Sequence, residues 1–366
     1  MSSCEEIRVE LGDRSYTVTV GEGLLGRLDD FLRGGWKRAA LVTDSNVGPL
    51  YATEAAERVR SRGLEPVLLE VPAGEASKTA ERAFEILDRL IESGLTRSDL
   101  VIALGGGVVG DLTGFAASIF KRGIDVVQVP TTLMAMVDSS IGGKTAVNVP
   151  AAKNQVGSFH QPVAVVCDIS LLATLSPREF ISGIAEVAKY SLLTSREWGR
   201  RFRADPGASK RSAPGDLARI ITECVSEKAA LVAADERDHG VRHHLNYGHT
   251  LGHALEAQAG YAGTYSHGEA ISVGMVFAAL VSEKLGVGRA GLAGDHRMLL
   301  DSLGLPVKPL PKAPEYSELA PRIAQDKKSA GDTTMVLLED EGSPVVRTGV
   351  EPAALEACYD LLLRGG

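Results

Sequence analysis

The 366-residue chain is short of several things, and each shortage removes a class of protein. It has four cysteines, Cys4, Cys167, Cys224 and Cys358, far apart and with no CxxC pair. That argues against a disulfide scaffold and a cysteine zinc site, and leaves free thiols in a reducing cytoplasm as the expectation. Basic residues are outnumbered, 39 Lys and Arg against 47 Asp and Glu, for a net charge of −8. A surface of that sign suits neither general nucleic-acid binding nor an anionic membrane. The longest stretch of apolar and small residues, 270–281, is too short to span a bilayer. The opening MSSCEEIRVELG has no basic segment followed by an apolar one, so no secretory signal is expected. No long polar or low-complexity block argues for disorder, and no internal repeat is visible.

What is present is the balance of an ordinary soluble globular protein, 44% apolar and 23% charged, with length enough for two domains. Residues 7–11 and 16–20 flank Gly12-Asp13-Arg14-Ser15, a hairpin signal. Residues 39–43, 66–71, 100–104 and 126–130 read as short β-rich runs, and 51–62 and 79–93 have helical apolar spacing. Strands buried on both faces and separated by helices predict a parallel sheet. Ligands of such sheets sit beyond the carboxyl ends of the strands. Asp44, Gly105 to Gly107, Thr131 and Thr132 each follow a predicted strand, and so are candidates for one crevice. After about residue 168 helical periodicity dominates, at 177–193, 216–235, 249–258 and 268–285, with a small hairpin at 334–338 and 345–347. Residues 205–215 read as a loop between helices. The expected layout is an α/β domain over 1–169 and a mostly α-helical domain over 170–366, with the active site in the cleft between them.

Gly105-Gly106-Gly107-Val108-Val109-Gly110 fits GxGxxG between a strand and a helix, as in a Rossmann-like nucleotide-binding domain. The usual acidic partner is missing, because Asp125 begins its strand; Asp44 is better placed to hold a ribose hydroxyl. A tight structural turn is the alternative reading. Five of eight histidines fall within 242–267: His243, His244, His249, His253 and His267. His249 and His253, four apart, share a helical face. His267 opens HGEA just before an apolar helix, and with His249 and Glu186 of GIAEVAKY it would form a catalytic zinc set with an open position; surface histidines are the alternative. Lys228 falls inside the apolar stripe Leu217, Ile221, Cys224, Val225, Leu231 and Val232, either snorkelling or aimed at an anionic ligand. Lys189, three residues after Glu186, points toward the metal's substrate or makes an i,i+3 ion pair. Residues 130–154, dense in small hydroxyls, Gly, Lys and Asn, read as a phosphate or sugar binder or as a polar loop.

In order, GGGVVGDLTGFAAS, QVPTTLMAMVDSSIGGKTAVN, KNQVGSFHQP, GIAEVAKY, LNYGHTLGHALE, HGEAISVGM and the late DKK resemble the 3-dehydroquinate synthase family of sugar phosphate cyclases, from about residue 7 to 350. The resemblance implies a divalent metal, zinc or cobalt, on Glu186, His249 and His267. It implies NAD contacts at Asp44, Asn46, Glu75, Lys78, Gly106, Gly107, Asp111, Thr131, Thr132, Ser139, Lys144, Lys153, Thr174 and Glu179. It implies a substrate-binding and catalytic set of Asp138, Lys144, Asn154, Lys189, Lys228, Arg242, Asn246, His253, His267 and Lys327. Arg122 resembles an arginine lent across a homodimer interface to the substrate phosphate. Ala73 stands where the family often has Asp, and Tyr247 where Leu or Phe is more usual. Lys327 is preferred to Lys328 as the late lysine, and His243 and His244 match nothing functional.

The implied reaction takes the phosphorylated sugar acid 3-deoxy-D-arabino-heptulosonate 7-phosphate to 3-dehydroquinate and phosphate. It runs through transient oxidation by NAD, phosphate elimination, re-reduction, ring opening and aldol closure. An aminodehydroquinate synthase or another sugar phosphate cyclase is the alternative. A metal-dependent polyol dehydrogenase is a weaker one, since a polyol needs no clamp of DSSIGGK, Lys228, Arg242 and Asn246. The implied partners are a small sugar acid phosphate and a second copy of the chain, with no nucleic acid and no membrane.

Overall fold

The computed structural model describes residues 4–149, 152–207, 214–260, 264–310, 313–325 and 333–365. The chain forms two compact units, Met1–Leu175 with Ala213–Arg237, and Ser176–Ser212 with Asp238–Gly366.

The first unit is built on a seven-stranded sheet. Its strands are β1 (Glu5–Val9), β2 (Tyr16–Gly21), β3 (Arg38–Asp44), β4 (Glu65–Val71), β5 (Leu100–Gly105), β6 (Asp125–Pro130) and, after a separate hairpin, β9 (Ala164–Asp168). Their spatial order is β1-β2-β9-β6-β5-β3-β4. The β1–β2 pair is antiparallel, as the hairpin signal predicts, and every other pair is parallel. Alternate residues serve opposite faces, so an inner strand such as β5 is apolar and buried throughout. Ala40, Val42, Val101 and Ala103 meet the helices Ala80–Glu92 and Gly107–Ile119 on one side. Ala39, Leu41, Ile102 and Leu104 meet Leu28, Ala55 and Val59 on the other. Each buried Val, Leu or Ile among these contributes about 1.5–3 kcal/mol. The chain runs outward from β3 to β4, then returns to β5 on the other side of β3. The order therefore reverses between β3 and β5, a switch point where open sheets bind ligands.

Two expectations need correction. The helix Pro214–Ala234, expected in a second domain beginning at residue 170, belongs to the first unit. Its stripe of Ile221, Cys224, Val225 and Val232 is buried, and the helix packs on β1, β2 and the wide helical turn Ala135–Ser139. Residues 130–154 are also not simply a loop. Lys144–Val149 (β7) pairs antiparallel with Ala152–Phe159 (β8), with an irregularity between Val147 and Val149.

The second unit is helical around His267–Lys284, whose residues from Ala270 to Val281 are all buried. A helix apolar on every side must be central. It is surrounded by the helices Pro177–Leu193, His249–Gln258, Leu292–Ser302 and Pro352–Arg364 and by strand β10 (Met335–Leu338). β10 pairs with β11 (Pro344–Arg347), the expected hairpin. The last two of those helices, with Glu197–Ala204 and Tyr316–Gln325, have no counterpart in the sequence reading. Among the described residues, no helix is long and apolar enough to cross a membrane.

Candidate active site

The site in the second unit follows from three closely packed helices. Glu186 lies midway along Pro177–Leu193, and His249 and His267 open the two helices that carry them. His267 is held at its helix start by a capping box, in which Ser266 and Glu269 bond each other's backbone N–H. Close approach depends on glycine at two crossings. A Cβ on Gly268 would lie 2.1 Å from the carbonyl oxygen of Ser182, and one on Gly274 1.9 Å from that of Gly248.

The packing brings donor atoms of Glu186, His249 and His267 within 4.8 Å of one another. Glu186 is fully buried. Its Oε1 lies 3.6 Å from Nε2 of His267 and 3.9 Å from Nε2 of His249. The other nitrogen of each ring is engaged elsewhere. Nδ1 of His249 is 3.1 Å from the carbonyl oxygen of Tyr247, and Nδ1 of His267 is 3.2 Å from Oε2 of Glu256. Each ring therefore turns Nε2 toward Glu186, the orientation that outer partners impose on metal-binding histidines. Burial, helped by the charges of Lys189, His253 and His267, holds His249 neutral, well below the usual histidine range. Burial opposes protonation of His267, but Glu256 and Glu186 together outweigh it and raise that group to about 9. The negative charge that holds this proton on the imidazole also favours a metal cation, which must displace it. Two imidazoles and a carboxylate are a fitting donor set for zinc or cobalt.

Sequence spacing placed His253 beside His249, and their ring centroids are 5.1 Å apart. Lys189 is nearly inaccessible and forms its ion pair with Glu186 inside the protein rather than on a wet helix face. Arg242 is buried and Asn246 half-buried in the short helical segment Val241–Asn246 that precedes the helix His249–Gln258. Glu179 is exposed in the first turn of Pro177–Leu193. Lys327 and Lys328 lie outside the described residues. Glu256 was missed, although it stands seven residues after His249 and so on the same helical face.

In the first unit the residues expected to share a crevice lie at the carboxyl ends of the strands. Asp44 ends β3, Gly105 ends β5, and Thr131 follows β6 with its N–H on the Gly105 carbonyl at 3.0 Å. Oδ1 of Asp44 accepts from the N–H groups of Asn46 and Val47, which fixes the carboxylate at the strand end. Side chains on Gly106 and Gly107 would press on Thr132 and Ser139 at 3.0 Å, so this turn admits only backbone. The hydroxyl of Thr131 is buried and has no hydrogen-bond partner among the described residues. A bare glycine turn at a helix N-terminus with a waiting hydroxyl fits a dinucleotide phosphate. Thr174 bonds the hydroxyl of Tyr51 at 2.7 Å.

A polar network adjoins the turn. The buried ammonium of Lys78 contacts both Asp111 and Asn154. Asn148 bonds Glu75 at 2.8 Å and receives the N–H of Asn154, and Lys153 reaches Glu75 at 3.5 Å. Asn148 was not foreseen; β7 places it here. Asn154 has a left-handed φ of 57°, tolerated by its short polar side chain. Burial raises the Asp111 carboxyl and Lys78 opposes it. Lys228 does not snorkel outward. Its ammonium is 2.6 Å from both Oδ1 and the carbonyl oxygen of Asp138. Lys144 is exposed at the start of β7, and Arg122 is exposed in a turn where Lys121, Arg122 and Gly123 all have positive φ.

Comparison with known proteins agrees with this geometry. The N-terminal model of 3-dehydroquinate synthase matches residues 68–182 and the C-terminal model residues 183–329. A 3-dehydroquinate synthase of Geobacter metallireducens is 46% identical over 92% of this chain and 93% of its own. That of Halorhodospira halophila is 46% identical over 95% and 96%. Among solved structures, 2-epi-5-epi-valiolone synthase from Streptomyces hygroscopicus, with NAD+ and Zn2+ bound, is 28% identical with a TM-score of 0.88, covering 98% of this chain and 99% of that one. An iron-containing alcohol dehydrogenase from Thermococcus thioreducens, 16% identical with a TM-score of 0.70 over 96% and 99%, shares the fold alone. On the family models and the near full-length identity, the chain belongs to the 3-dehydroquinate synthase family.

Proposed function

We propose that this chain converts 3-deoxy-D-arabino-heptulosonate 7-phosphate to 3-dehydroquinate and inorganic phosphate, with NAD and a divalent metal as cofactors. The observation that carries the reading is the convergence of His249 and His267 on buried Glu186, in a chain 46% identical to enzymes of that name. When bound, NAD takes up and returns a hydride, and the metal polarises the alcohol that is oxidised.

The chain's own residues supply binding, orientation and proton movement. Glu186, His249 and His267 would hold the metal, and the glycine turn with Asp44, Lys78 and Thr131 the cofactor. Lys228 and Arg242 take the substrate carboxylate; the planar guanidinium suits a bidentate grip. In the structure Asp138 already fills a carboxylate's place on Lys228, which supports that assignment. Lys144, Asn154, Asn246, Arg122 and Lys327 bind the phosphate. Asp138 and His253 serve the proton relay, and Lys189, paired to Glu186, steadies negative charge beside the metal. We further propose a homodimer, because the left-handed turn at Lys121 and Arg122 is strain kept to present an exposed arginine. Free Cys167, Cys224 and Cys358, all buried, suit a reducing cytoplasm.

The test is a phosphate-release assay with the heptulosonate phosphate, NAD+ and zinc. Phosphate and dehydroquinate should appear together, with no build-up of NADH. Absence of turnover overturns the proposal. Turnover of glucose 6-phosphate or sedoheptulose 7-phosphate instead would assign another cyclase activity, and NADH accumulating with product would assign a dehydrogenase.

A further inference from the structure

The proposed metal centre leaves one buried polar pair without a role. Tyr247 and His296 are both fully buried, in the core of the helical unit. The tyrosine hydroxyl lies 2.8 Å from Nε2 of His296, and the rings meet edge to face with centroids 5.8 Å apart. Nδ1 of His296 lies 2.8 Å from the carbonyl oxygen of Leu292, one turn earlier on the same helix. That contact assigns the proton to Nδ1 and leaves Nε2 to accept from the tyrosine. The hydroxyl is also 3.4 Å from the carbonyl oxygen of Met275, on the helix that His267 opens.

Apolar packing alone would place a ring at position 247. Phe fills nearly the same volume and needs no partner, whereas a buried hydroxyl and a buried imidazole each cost free energy unless paired. The pair therefore adds direction to a position that packing already fills. What it directs is visible on the other side of the residue. The backbone carbonyl of Tyr247 accepts from Nδ1 of His249, at 3.1 Å. Gly248, between them, has a left-handed φ of 80° and begins the helix. The chain thus turns sharply just after the tyrosine, and the direction of that carbonyl depends on where the tyrosine is pinned. A continuous relay runs from Leu292 through His296 and Tyr247 to His249.

We propose that His296 is a positioning residue for the metal centre, acting through the Tyr247 hydroxyl to fix the ring of ligand His249. This rests on the reading of Glu186, His249 and His267 as a metal site. The relay reaches the metal from a helix that carries none of the ligands. Groups bonded directly to a ligand ring typically change metal affinity about 10–100-fold, and His296 acts one contact further out, so the low end is expected.

The experiment measures cobalt(II) binding to the full chain, by competition with a chromophoric chelator and by the visible spectrum of the bound ion. Variants are Y247F, H296Q, and the double variant Y247F with H296L. Y247F should weaken cobalt binding about tenfold and shift the spectrum, with NAD+ affinity unchanged. H296Q can still accept from Tyr247 and donate to Leu292, so it should retain most of the affinity. Should Y247F fail to fold with His296 stranded, the double variant removes both polar partners together and carries the same measurement. Affinity within twofold of the parent and an unmoved spectrum, in folded Y247F or in the folded double variant, overturn the proposal, whatever happens to Tm. If the parent binds no cobalt, or if binding survives H249A, the metal reading itself fails. If H249A abolishes binding while the Tyr247 variants leave it unchanged, only the positioning role fails.

Discussion

Oε2 of Glu256 sits 3.2 Å from Nδ1 of His267, on the side of the ring away from Glu186. One imidazole is thus held between two carboxylates, one buried beneath it and one behind it. Glu256→Gln should lower zinc affinity about tenfold, and Glu256→Ala up to about a hundredfold, because the orienting charge and then the acceptor are lost. In the metal-free protein the same variants should lower the His267 pKa from about 9, since Glu256 is a principal charge raising it. Chelator competition and an NMR titration of His267 check the two outcomes. Unchanged values would make Glu256 a bystander.

Lys228→Met should raise the KM for the acid substrate with less effect on kcat. Met can lie in the same apolar stripe, so the fold is kept while a charged hydrogen bond of about 1.5–3 kcal/mol is lost, roughly 10- to 150-fold. Steady-state phosphate release measures this, with Asp138→Asn as the control for the partner left behind. Unchanged KM and kcat would remove Lys228 from the site.

Folding stability should fall as pH drops from 6.5 toward 4. Burial lowers the His296 pKa from 6.5 to about 4. Across that window the unfolded chain binds a proton that the folded chain does not, so acid favours unfolding. By pH 4 the loss from this one group is roughly 3 kcal/mol. Urea midpoints of the parent and of the Y247F/H296L double variant at pH 7 and pH 4 should differ by that component. Parallel pH dependences would contradict it.

Gly274→Ala should be strongly destabilising, well beyond the usual helix preference for Ala. The added Cβ would fall 1.9 Å from the Gly248 carbonyl oxygen, so two helices must part. Overpacking typically costs about 1–3 kcal/mol, and here the obstacle is backbone, which cannot rotate away. Thermal unfolding should show a large fall in Tm, with cobalt affinity falling too as His249 moves from Glu186. A parent-like Tm would mean that the crossing is looser than described.

Much of this was legible because the relevant residues break a local pattern. Lys228 interrupts an apolar stripe, His249 and His253 share a face, and Gly105 to Gly107 separate a strand from a helix. What stayed hidden is whatever depends on a partner remote in sequence. The Pro214–Ala234 stripe declares a buried face but not that β1 and β2 cover it. Lys144–Val149 and Ala152–Phe159 pair as strands although the segment's Gly, Lys and Asn resemble a loop, because each strand mainly satisfies the other's backbone. Tyr247 stands out only as a departure from the family's usual Leu or Phe, and nothing in the sequence singles out His296, 49 positions away, until the fold joins them.

The return of Pro214–Ala234 to the first unit means that the polypeptide passes between units three times, near residues 175, 212 and 237. Neither unit is a contiguous stretch of gene. A fragment ending at residue 175 would leave β1 and β2 without the helix that shields them, and a fragment starting there would carry that helix with nothing to cover. Expression of either half alone should therefore give insoluble products. Exchange of either unit of this chain intact requires cassettes cut at all three junctions.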